Sequence, residues 1–332
     1  MPRSFFFLNC LSCLVLFVLT VSNVSGFQLP DPAGRASGAC TATLLKVLYE
    51  YEEKPWGEEN SNLTFIDVMN RMRKILKQKG FQQIPQLSST KPIDMNKDEF
   101  TLVPETLTGT RRAVLIGINY VGHKKGELSG CHNDVFNMYM YLQDYYGFQD
   151  EDITVLVDDG DHERPTKSAI LNAYNTIVQQ SQPGDAIFLH YSGHGTKVKD
   201  LNGDEDDGYD EAIMPVDYKK NGIIIDDELN DLIVKRLPAG VHVVALYDCC
   251  HSGTVLDLPY EYIANGKYSR MEISDSKFNI NKIFTALLGG GGSGGKNNNK
   301  MNAMKIGKMI MQNGKMVNKI AGKAGFVKQF LK

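Results

Sequence analysis

Short apolar runs alternate with amphipathic helical stretches from Arg112 onward, and this order limits the fold more than any other feature of the chain. The runs AVLIGINY, ITVLVDD, DAIFLHYSGHG and VHVVALYD are typical of buried strands, whereas CHNDVFNMYMYLQDYYG, PTKSAILNAYNTIVQQ and DDELNDLIVKRL have the apolar spacing of helices. Parallel strands need long crossover connections, and these are usually helices. The pattern therefore predicts an α/β fold, with a doubly wound, mainly parallel sheet and helices on both faces.

The sequence before Arg112 has a different pattern. Residues 27–40 are rich in Gly, Pro and Ala and are interpreted as an extended arm. TATLLKVLYEY predicts a helix, and NLTFIDVMNRMRKILKQKG predicts a second one that ends at Gly80. The following segment, FQQIPQLSSTKPIDMNKDEF, is predicted to be irregular.

The first 26 residues, MPRSFFFLNCLSCLVLFVLTVSNVSG, combine a short positive start, an apolar run from Phe5 to Thr20, and small residues at Val24 and Gly26. This layout predicts a secretory signal peptide that is cleaved after Gly26 and directs the chain into the secretory pathway or out of the cell. The alternative is a membrane anchor formed by an uncleaved segment, although the run is shorter than the roughly 20 residues of a full span.

Charge is unevenly distributed along the chain, whose formal net charge is −3. Residues 296–332 contain nine Lys and no Asp or Glu, which leaves 27 basic and 39 acidic residues, a net charge of −12, in residues 1–295. An acidic body argues against a nucleic-acid-binding core and suits a cationic substrate. The stretch LLGGGGSGGKNNNK predicts a flexible linker. The basic Lys/Met-rich tail after it is predicted either to be disordered or to contact an anionic membrane or a partner.

Reactive side chains follow two of the predicted strands. Residues 192–195, SGHG, come after AIFLHY, and residues 248–251, DCCH, come after VVALY. Ligands of open parallel sheets bind at the carboxyl ends of the strands, and a cysteine nucleophile needs a base within hydrogen-bond reach. Glycines beside His194 would let backbone N–H groups approach a developing oxyanion. These residues predict a cysteine hydrolase. Four cysteines remain after removal of the signal peptide, too few for a disulfide scaffold.

The two segments resemble motifs of a known family. HYSGHGT and DCCHSGT, whose His194 and Cys250 are 56 residues apart, are similar to the H-x-S-G-H-G and D-x-C-H-S-G motifs of the metacaspases, caspase-like cysteine peptidases of plants, fungi, algae and protists. SGCHNDV, DGYDEAIMPVD and IIDDEL match further family positions. The resemblance implies that the predicted sheet has the caspase-like fold.

The region before the catalytic motifs resembles the small subunit of the same family. GACTATLLKVL and FIDVMNRMRKILKQKGFQQIPQLSSTKPIDM are similar to that subunit, which here precedes the catalytic subunit, as in the type III metacaspases of algae. The family's small subunit opens with a strand and an S-G-C…Q-T-S-A-D stretch, whereas this chain has SGFQLPDPAG there. The resemblance therefore leaves the first strand of the subunit without a counterpart in the sequence.

The resemblance implies a catalytic dyad, with His194 as general base and Cys250 as nucleophile, and the backbone N–H groups of Gly195 and Cys250 as oxyanion donors. It also implies cleavage after Arg or Lys. The residues implied for the substrate pocket are Cys131, Asp134, Ser192 and Asp248. Cys249 occupies the variable position of D-x-C and is interpreted as a small packed side chain or, alternatively, as a redox-sensitive thiol.

The stretch DLNGDEDDGYDE contains seven acids within 12 residues, which repel one another unless they are solvated or neutralised. A hard cation with oxygen ligands is one way to neutralise them. The stretch is not an EF-hand loop, because Glu205 stands where that loop requires glycine. The resemblance implies instead a Ca²⁺ site and calcium-dependent activity, with the ligands Asp210, Asp226, Asp227 and Asp257. The alternative is a solvated acidic loop, with Asp226 as a helix N-cap.

These interpretations divide the chain into five parts. They are a signal peptide (1–26), a small-subunit-like region (27–110), a catalytic caspase-like large subunit (111–264), a variable segment with a Gly-rich linker (265–295) and the basic tail (296–332). A signal peptide followed by Phe27 also resembles a plastid-import leader, which is an alternative destination in algae with complex plastids.

The predicted function is that of a calcium-dependent cysteine endopeptidase that cleaves after Arg or Lys and is made as a self-processing zymogen. Its predicted self-cleavage points are Lys267, Arg270 and the Arg111–Arg112 junction. The alternative is a catalytically weak caspase-like scaffold that binds protein aggregates or membranes. The predicted partners are protein or peptide substrates and no nucleic acid, and the chain is predicted to be a monomer.

Overall fold

The computed structural model describes residues 15–22, 28–30, 36–52, 63–81, 83–200, 208–249, 255–264 and 272–273. All of them belong to one structural unit, Met1–Phe278. Four features of the sequence analysis lie outside the described residues: the nucleophile Cys250, the cleavage points Lys267 and Arg270, the Gly-rich linker, and the basic tail.

The strands of the described part are β1 (Val15–Ser22), β2 (Gln28–Pro30), β3 (Ala36–Gly38), β4 (Ile84–Ser89), β5 (Arg111–Gly117), β6 (Ile153–Val157), β7 (Ala186–Ser192), β8 (Gly195–Lys199), β9 (Tyr209–Ile213), β10 (Ile224–Ile225), β11 (His242–Asp248), β12 (Tyr260–Ile263) and β13 (Glu272–Ile273). The helices are α1 (Ala39–Glu52), α2 (Phe65–Gln78), α3 (Cys131–Tyr146), α4 (Lys167–Gln180), α5 (Tyr218–Asn221) and α6 (Asp226–Leu229). A 3₁₀ turn (Asp150–Asp152) precedes β6, and a π-helical turn (Asn230–Val234) follows α6.

The main sheet has eight strands in the order β13-β12-β4-β1-β11-β7-β5-β6. The five strands from β1 to β6 in this order are parallel to their neighbours. β4, β12 and β13 continue the sheet with antiparallel pairings. β8, β9 and β10 form a separate antiparallel sheet. The predicted α/β class with a mainly parallel sheet is confirmed.

The central strands face two hydrophobic cores, one on each side of the sheet. In β5, Ala113 and Leu115 belong to the core that α1, α2 and α3 cover. Val114 and Ile116 belong to the core that α4 and α6 cover. Successive strand residues point to opposite faces, so burial of both sets explains why these strands have continuous apolar sequences. Helices cover both faces, as the pattern predicts.

Local sequence sets the ends of three helices. The side chain of Thr64 and that of Asp67 each accept from the other's backbone N–H, a capping box that begins α2. The hydroxyl of Thr166 accepts from Ala169 N–H at 3.2 Å and begins α4. α3 ends at Gly147, where φ is 60°, a left-handed conformation that glycine adopts at little steric cost.

The apolar run near the N-terminus forms a strand in the interior of the sheet. β1 runs parallel to β11 on one side and antiparallel to β4 on the other. It lies within the predicted signal peptide, and it supplies a strand where the resemblance had found none. Cleavage after Gly26 and a secretory destination stay predictions. Such cleavage would remove β1 and leave the facing backbone groups of β4 and β11 unpaired.

One local prediction was wrong, and one predicted helix differs in type. The segment predicted to be irregular contains β4, whose pattern is weakened by Pro85, because a proline inside an apolar run argues against a strand. DDELNDLIVKRL is helical from Asp226 to Val234 as predicted, but only α6 is α-helical, and Asn230–Val234 forms the π-helical turn. Within the described ranges, none of the helices has the length and apolar character needed to cross a membrane.

Candidate active site

The carboxyl ends of β7 and β11 lie side by side. The strands are parallel neighbours in a register that places Ser192 opposite Asp248. Gly193 N–H donates to the Asp248 carbonyl at 3.4 Å, which extends the contact past the end of β7. His194 and Cys250 thus each follow this pair by two residues. Cys250 is outside the described residues, so the strand pairing is the observation that brings the two motifs to one edge of the sheet.

The imidazole of His194 is held by the loop that follows β5. Its Nε2 lies 2.6 Å from the carbonyl oxygen of Gly126. A carbonyl oxygen can only accept, so Nε2 carries the proton and Nδ1 carries the lone pair. Gly126 has a φ of 86°, which favours glycine, and a Cβ there would lie 3.3 Å from Nε2. The ring is therefore oriented with Nδ1 as its basic atom.

Asp134 is a fully buried carboxylate in the first turn of α3. Gly38 N–H lies 2.8 Å from its Oδ1 and 2.9 Å from its Oδ2. The hydroxyl of Ser192 donates to Oδ2 at 2.5 Å. A buried carboxylate is strongly unfavourable without such donors, so these bonds are what allow Asp134 to remain at the sheet edge.

Asp248 is the second carboxylate of the site and is partly exposed. Thr41 N–H, in the first turn of α1, donates to its Oδ2 at 2.7 Å. Burial raises the pKa of Asp248, and hydrogen bonds from Thr41 and from the Cys40 backbone offset part of that rise. A Cβ on Gly38 would lie 2.3 Å from Oδ2 of Asp248 and 2.7 Å from Oδ2 of Asp134, so both carboxylates converge on one glycine.

The structure thus brings the residues predicted for the substrate pocket to one place. They are Cys131 at the start of α3, Asp134 one turn later, Ser192 at the end of β7, and Asp248 opposite Ser192. The contributions of Gly38 and Thr41 were not predicted. GACT was noted only for its resemblance to the small subunit, and no local signal shows that residues 96 and 207 positions apart will meet.

The three described cysteines are buried. Burial, reinforced by nearby carboxylates, raises the pKa of the Cys40 and Cys131 thiols well above the ordinary value. A buried, protonated thiol is a poor nucleophile. Cys249 is 9% exposed and packs in the core with Tyr247 and Val255, where the sequence suggested a packed side chain.

Asp226 and Asp257 lie close enough to repel each other. Asp226 is 1% exposed, and its two oxygens accept from Glu211 N–H at 2.7 Å and Asp227 N–H at 2.8 Å. Burial and then the charge of Asp257 raise the pKa of Asp226 to about 8. Asp257 has a φ of 48°, which is uncommon outside glycine. A cation would relieve this repulsion, so the pair fits the oxygen-ligand chemistry of Ca²⁺.

The other two predicted calcium ligands are neighbours of this pair. Asp227 follows Asp226, and Asp210 precedes Glu211 on β9. In the described residues, no three or more His, Cys, Asp or Glu side chains form a group that could hold a metal ion. Residues 201–207, with four further acids, are outside the described part. The alternative interpretation of Asp226 as an N-cap was wrong, because Ile225 is the N-cap and Asp226 is the first helical residue.

The predicted oxyanion donors can be placed only in part. Gly195 begins β8, directly after His194, and is half-buried. Its proposed partner, the backbone N–H of Cys250, lies outside the described residues. Gly126, the hydrogen-bond partner of His194, was missed by the sequence analysis, because nothing in the loop GHKKGELSG distinguishes this glycine from its neighbours.

Comparison with known proteins places the chain among known families. The family described as "Metacaspase, peptidase C14 domain" matches residues 111–259, from β5 to the residue before β12. "Metacaspase III c" from Phaeodactylum tricornutum is 56% identical over 264 residues, which are 79% of this chain and 77% of that protein. The similarity to this relative therefore covers most of both chains.

Fungal relatives match over a shorter region. "Metacaspase-1" from Sclerotinia sclerotiorum is 51% identical over 161 residues, 48% of this chain and 37% of that protein. "Metacaspase-1" from Emericella nidulans is 52% identical over 161 residues, 48% of this chain and 40% of that protein. The chain spans less than half the length of these two relatives. Together with the match to the Phaeodactylum protein, they show that the chain belongs to the metacaspase family of caspase-like cysteine peptidases.

Proposed function

We propose that the protein is a calcium-dependent cysteine endopeptidase that cleaves peptide bonds after Arg or Lys, with His194 and Cys250 as its catalytic dyad. The observation that supports this most is the pairing of Ser192 with Asp248, because His194 and Cys250 each follow this pair by two residues in the sequence. The orientation of His194 by the Gly126 carbonyl adds a basic Nδ1 at the same edge.

In the proposed reaction, Nδ1 of His194 takes the proton of the Cys250 thiol, and the thiolate sulfur attacks the carbonyl carbon of the scissile bond. A carbon–sulfur bond forms, and the negative charge that develops on the carbonyl oxygen is stabilised by the N–H groups of Gly195 and Cys250. The carbon–nitrogen bond then breaks as the imidazolium returns its proton to the leaving amine. Water, deprotonated by His194, hydrolyses the thioester and regenerates the thiol.

The two carboxylates support the preference for a cationic side chain. A guanidinium presents five donors in a planar fork that matches carboxylate geometry, and an ammonium presents three. Asp134 is fully buried and already bonded to Gly38 and Ser192, whereas Asp248 is partly exposed. We therefore assign Asp248 as the carboxylate that the substrate cation contacts directly, with Asp134 behind it.

Calcium would be held by Asp226 and Asp257, with Asp227 and Asp210 beside them. The ion would supply positive charge where a carboxylate with a pKa of about 8 is buried next to another carboxylate. In the absence of such a charge, Asp226 is stable in this position mainly in its protonated form. This is the physical reason to expect that calcium stabilises the segment that contains α6 and the π-helical turn.

Self-processing is proposed to occur at Lys267 or Arg270 and not at the Arg111–Arg112 junction. Arg111 and Arg112 lie in β5 and are paired with Ala186 and Ile187 of β7. Arg112 Nη1 also donates to Asp185 Oδ2 at 2.7 Å. Cleavage at this junction would require β5 to leave the sheet, which makes it a poor protease substrate.

Hydrolysis of fluorogenic peptides ending in Arg, Lys or Asp tests the proposal. We expect turnover of the Arg and Lys peptides in calcium, little turnover in a chelator, and none by Cys250→Ala. Cys249→Ala is the matched control, because it removes a thiol from the adjacent buried position. Hydrolysis by Cys250→Ala at the wild-type rate would overturn the nucleophile assignment, and preference for the Asp peptide would overturn the pocket assignment. Absence of turnover by the wild type, with retained binding of aggregates, would favour the scaffold alternative.

A further inference from the structure

Tyr120 occupies a strained backbone position next to the proposed catalytic base. Its φ is 55°, and among the described residues only Asp257 shares a positive φ without being glycine. A bulky residue in this region is a conformational outlier, and such strain persists only when the surrounding structure over-determines it. Tyr120 is also 1% exposed, at the point where the chain leaves β5.

The carboxylate of Asp158 fixes the backbone on both sides of Tyr120. Its Oδ1 accepts from Asn119 N–H at 2.8 Å, and its Oδ2 accepts from Val121 N–H at 2.9 Å. Nε2 of His132 lies 2.7 Å from the same carboxylate. Burial raises the pKa of Asp158, but the hydrogen bonds from His132 and the two backbone groups outweigh it and leave the pKa below the ordinary value. The carboxylate therefore remains an ionised acceptor.

The hydroxyl of Tyr120 holds the backbone of His194. It accepts from His194 N–H at 2.9 Å and donates to the Met214 carbonyl at 2.7 Å. A second buried tyrosine, Tyr191, donates to the His194 carbonyl at 2.8 Å. Both peptide groups of His194 thus contact tyrosine hydroxyls. Burial raises the pKa of Tyr120 far above its ordinary value, so this hydroxyl stays protonated.

The ring of Tyr120 packs against the imidazole itself. The two ring centroids are 4.7 Å apart with an angle of 32° between the planes. The rings of His123 and Tyr218 lie 5.8 Å and 6.3 Å from that of Tyr120. The same residue thus fixes the backbone of His194 and limits the tilt of its ring, while the Gly126 carbonyl fixes the rotation of that ring.

We propose that Tyr120 is a positioning residue that orients the imidazole of His194 for its role as general base, and that Asp158, supported by His132, holds Tyr120 in the strained conformation this requires. The inference rests on the proposed function, because it acts through His194 as the general base. It assigns a role in the reaction to a residue that belongs to neither catalytic motif. Tyr120→Phe keeps the ring and removes the hydroxyl, so it is the variant that isolates this role.

The first readout is steady-state hydrolysis of the Arg peptide in calcium. Displacement of a catalytic group by about 1 Å costs roughly 100-fold in rate, so for Tyr120→Phe we expect kcat to fall about 10- to 100-fold with little change in KM. The matched control is Tyr174→Phe, since Tyr174 is also fully buried and its hydroxyl lies 3.5 Å from that of Tyr247. Tyr174→Phe should retain wild-type kcat.

The second readout is the pH dependence of Cys250 alkylation by iodoacetamide, followed site by site by mass spectrometry. A well-placed imidazolium stabilises the thiolate, so wild-type Cys250 should react well below the ordinary thiol pKa of about 8.5. In Tyr120→Phe, the acid limb of the plot of alkylation rate against pH should move toward the ordinary thiol pKa. In Tyr174→Phe this limb should not move. Asp158→Asn should shift the limb in the same direction by a smaller amount, and it replaces Tyr120→Phe if that variant does not fold.

Coincident alkylation profiles for Tyr120→Phe and wild type would overturn the inference. Equal losses of kcat and melting temperature in Tyr120→Phe and Tyr174→Phe would also overturn it, because they would show a purely structural role. Failure of the proposed function has a different signature, namely hydrolysis by Cys250→Ala or undiminished alkylation of Cys250 at acid pH in His194→Ala. The two failures can therefore be told apart.

Discussion

The hydroxyl of Ser192 donates to Oδ2 of Asp134 at 2.5 Å, and this bond joins the end of β7 to the first turn of α3. Ser192→Ala removes a donor from a fully buried carboxylate. A hydrogen bond to a charged group contributes about 1.5–3 kcal/mol, so we expect kcat/KM for Arg and Lys peptides to fall about 10- to 100-fold. Ser168→Ala, which removes an exposed hydroxyl, is the control. Unchanged kinetics in Ser192→Ala would show that this bond does not maintain the pocket.

Gly38→Ala should disturb both carboxylates of the pocket at once. The added Cβ would lie 2.3 Å from Asp248 Oδ2 and 2.7 Å from Asp134 Oδ2, so α1 or the carboxylates must move. Overpacking of this kind typically costs about 1–3 kcal/mol of stability, and here KM for the Arg peptide should also rise.

Gly160→Ala is the matched control for Gly38→Ala. It has a φ of 95°, and its new Cβ meets nothing within 4 Å. It should lose about 1–2 kcal/mol of stability through backbone strain, with KM unchanged. If both variants leave KM at the wild-type value, the β3–α1 junction does not shape the pocket.

Asp226→Asn should separate the effect of calcium on thermal stability from the stability of the calcium-free protein. The substitution removes a carboxyl group whose ionisation is opposed by burial and by Asp257, so the calcium-free protein should melt at a higher temperature at neutral pH. The same variant should lose the rise in melting temperature that millimolar calcium gives the wild type. Thermal melting in a chelator and in calcium measures both effects, with the exposed Asp161→Asn as control. A wild-type calcium response in Asp226→Asn would remove this residue from the proposed site.

His190 should make the protein sensitive to acid. It is fully buried in β7, its Nε2 lies 3.1 Å from the Thr41 hydroxyl, and its Nδ1 has no hydrogen-bond partner among the residues that the structure describes. Burial lowers its pKa from 6.5 to about 3. Between about pH 3 and pH 6.5, His190 is therefore protonated in the unfolded chain and neutral in the folded chain. The lowered pKa of His190 does not reduce the free energy of unfolding above pH 6.5. As the pH falls from 6.5 toward 3, the free energy of unfolding decreases by up to about 1.4 kcal/mol per pH unit.

Urea titrations between pH 4 and pH 7 measure how steeply the free energy of unfolding depends on pH. This window covers most of the range between the lowered pKa values of the buried histidines and the ordinary value of 6.5. His190→Gln should reduce the slope, although its stability at neutral pH will also change. Buried His242, with a pKa lowered to about 4, should supply part of the slope that remains. Parallel slopes in wild type and His190→Gln would contradict the assignment.

Deletion of residues 1–26 should destabilise the sheet. The deletion removes β1 from between β4 and β11, and it exposes six positions of backbone pairing on each of those strands. We expect lower solubility, a lower melting temperature and reduced peptide hydrolysis relative to the full chain. Deletion of residues 279–332, which form a separate unit, is the control and should leave the melting temperature of the main unit unchanged. Equal melting temperatures for the two deletions would show that β1 is dispensable.

The sequence predicted the elements whose structure depends on local pattern alone, such as strands that are buried along their whole length. β5, β7 and β11 are apolar throughout because both of their faces are buried, and their motifs follow at strand ends that the parallel order brings to one edge. α3 was predicted with its end at Gly147, because a left-handed residue after the last turn has a clear sequence signature.

The errors have identifiable physical causes. An apolar run of eight residues is equally compatible with the core of a signal peptide and with a buried strand, so β1 was not anticipated. The bonds from Gly38 and Thr41 to the carboxylates, and those from Tyr120 to His194, join residues far apart in the chain. Such contacts depend on how α1 and the loop after β5 dock, which no periodicity in the sequence encodes.

The eight residues of β1 lie within the predicted signal peptide, so the predicted leader and the strand would compete in time for the same segment. A leader must be captured while the chain is still extended and unfolded, whereas a sheet strand becomes inaccessible once its neighbours close around it. Slow folding would favour capture and processing, and fast folding would hide the segment from the export machinery. The rate at which β4 and β11 meet would then divide newly made chains between two populations, one with an eight-stranded sheet and one that must close the sheet with seven.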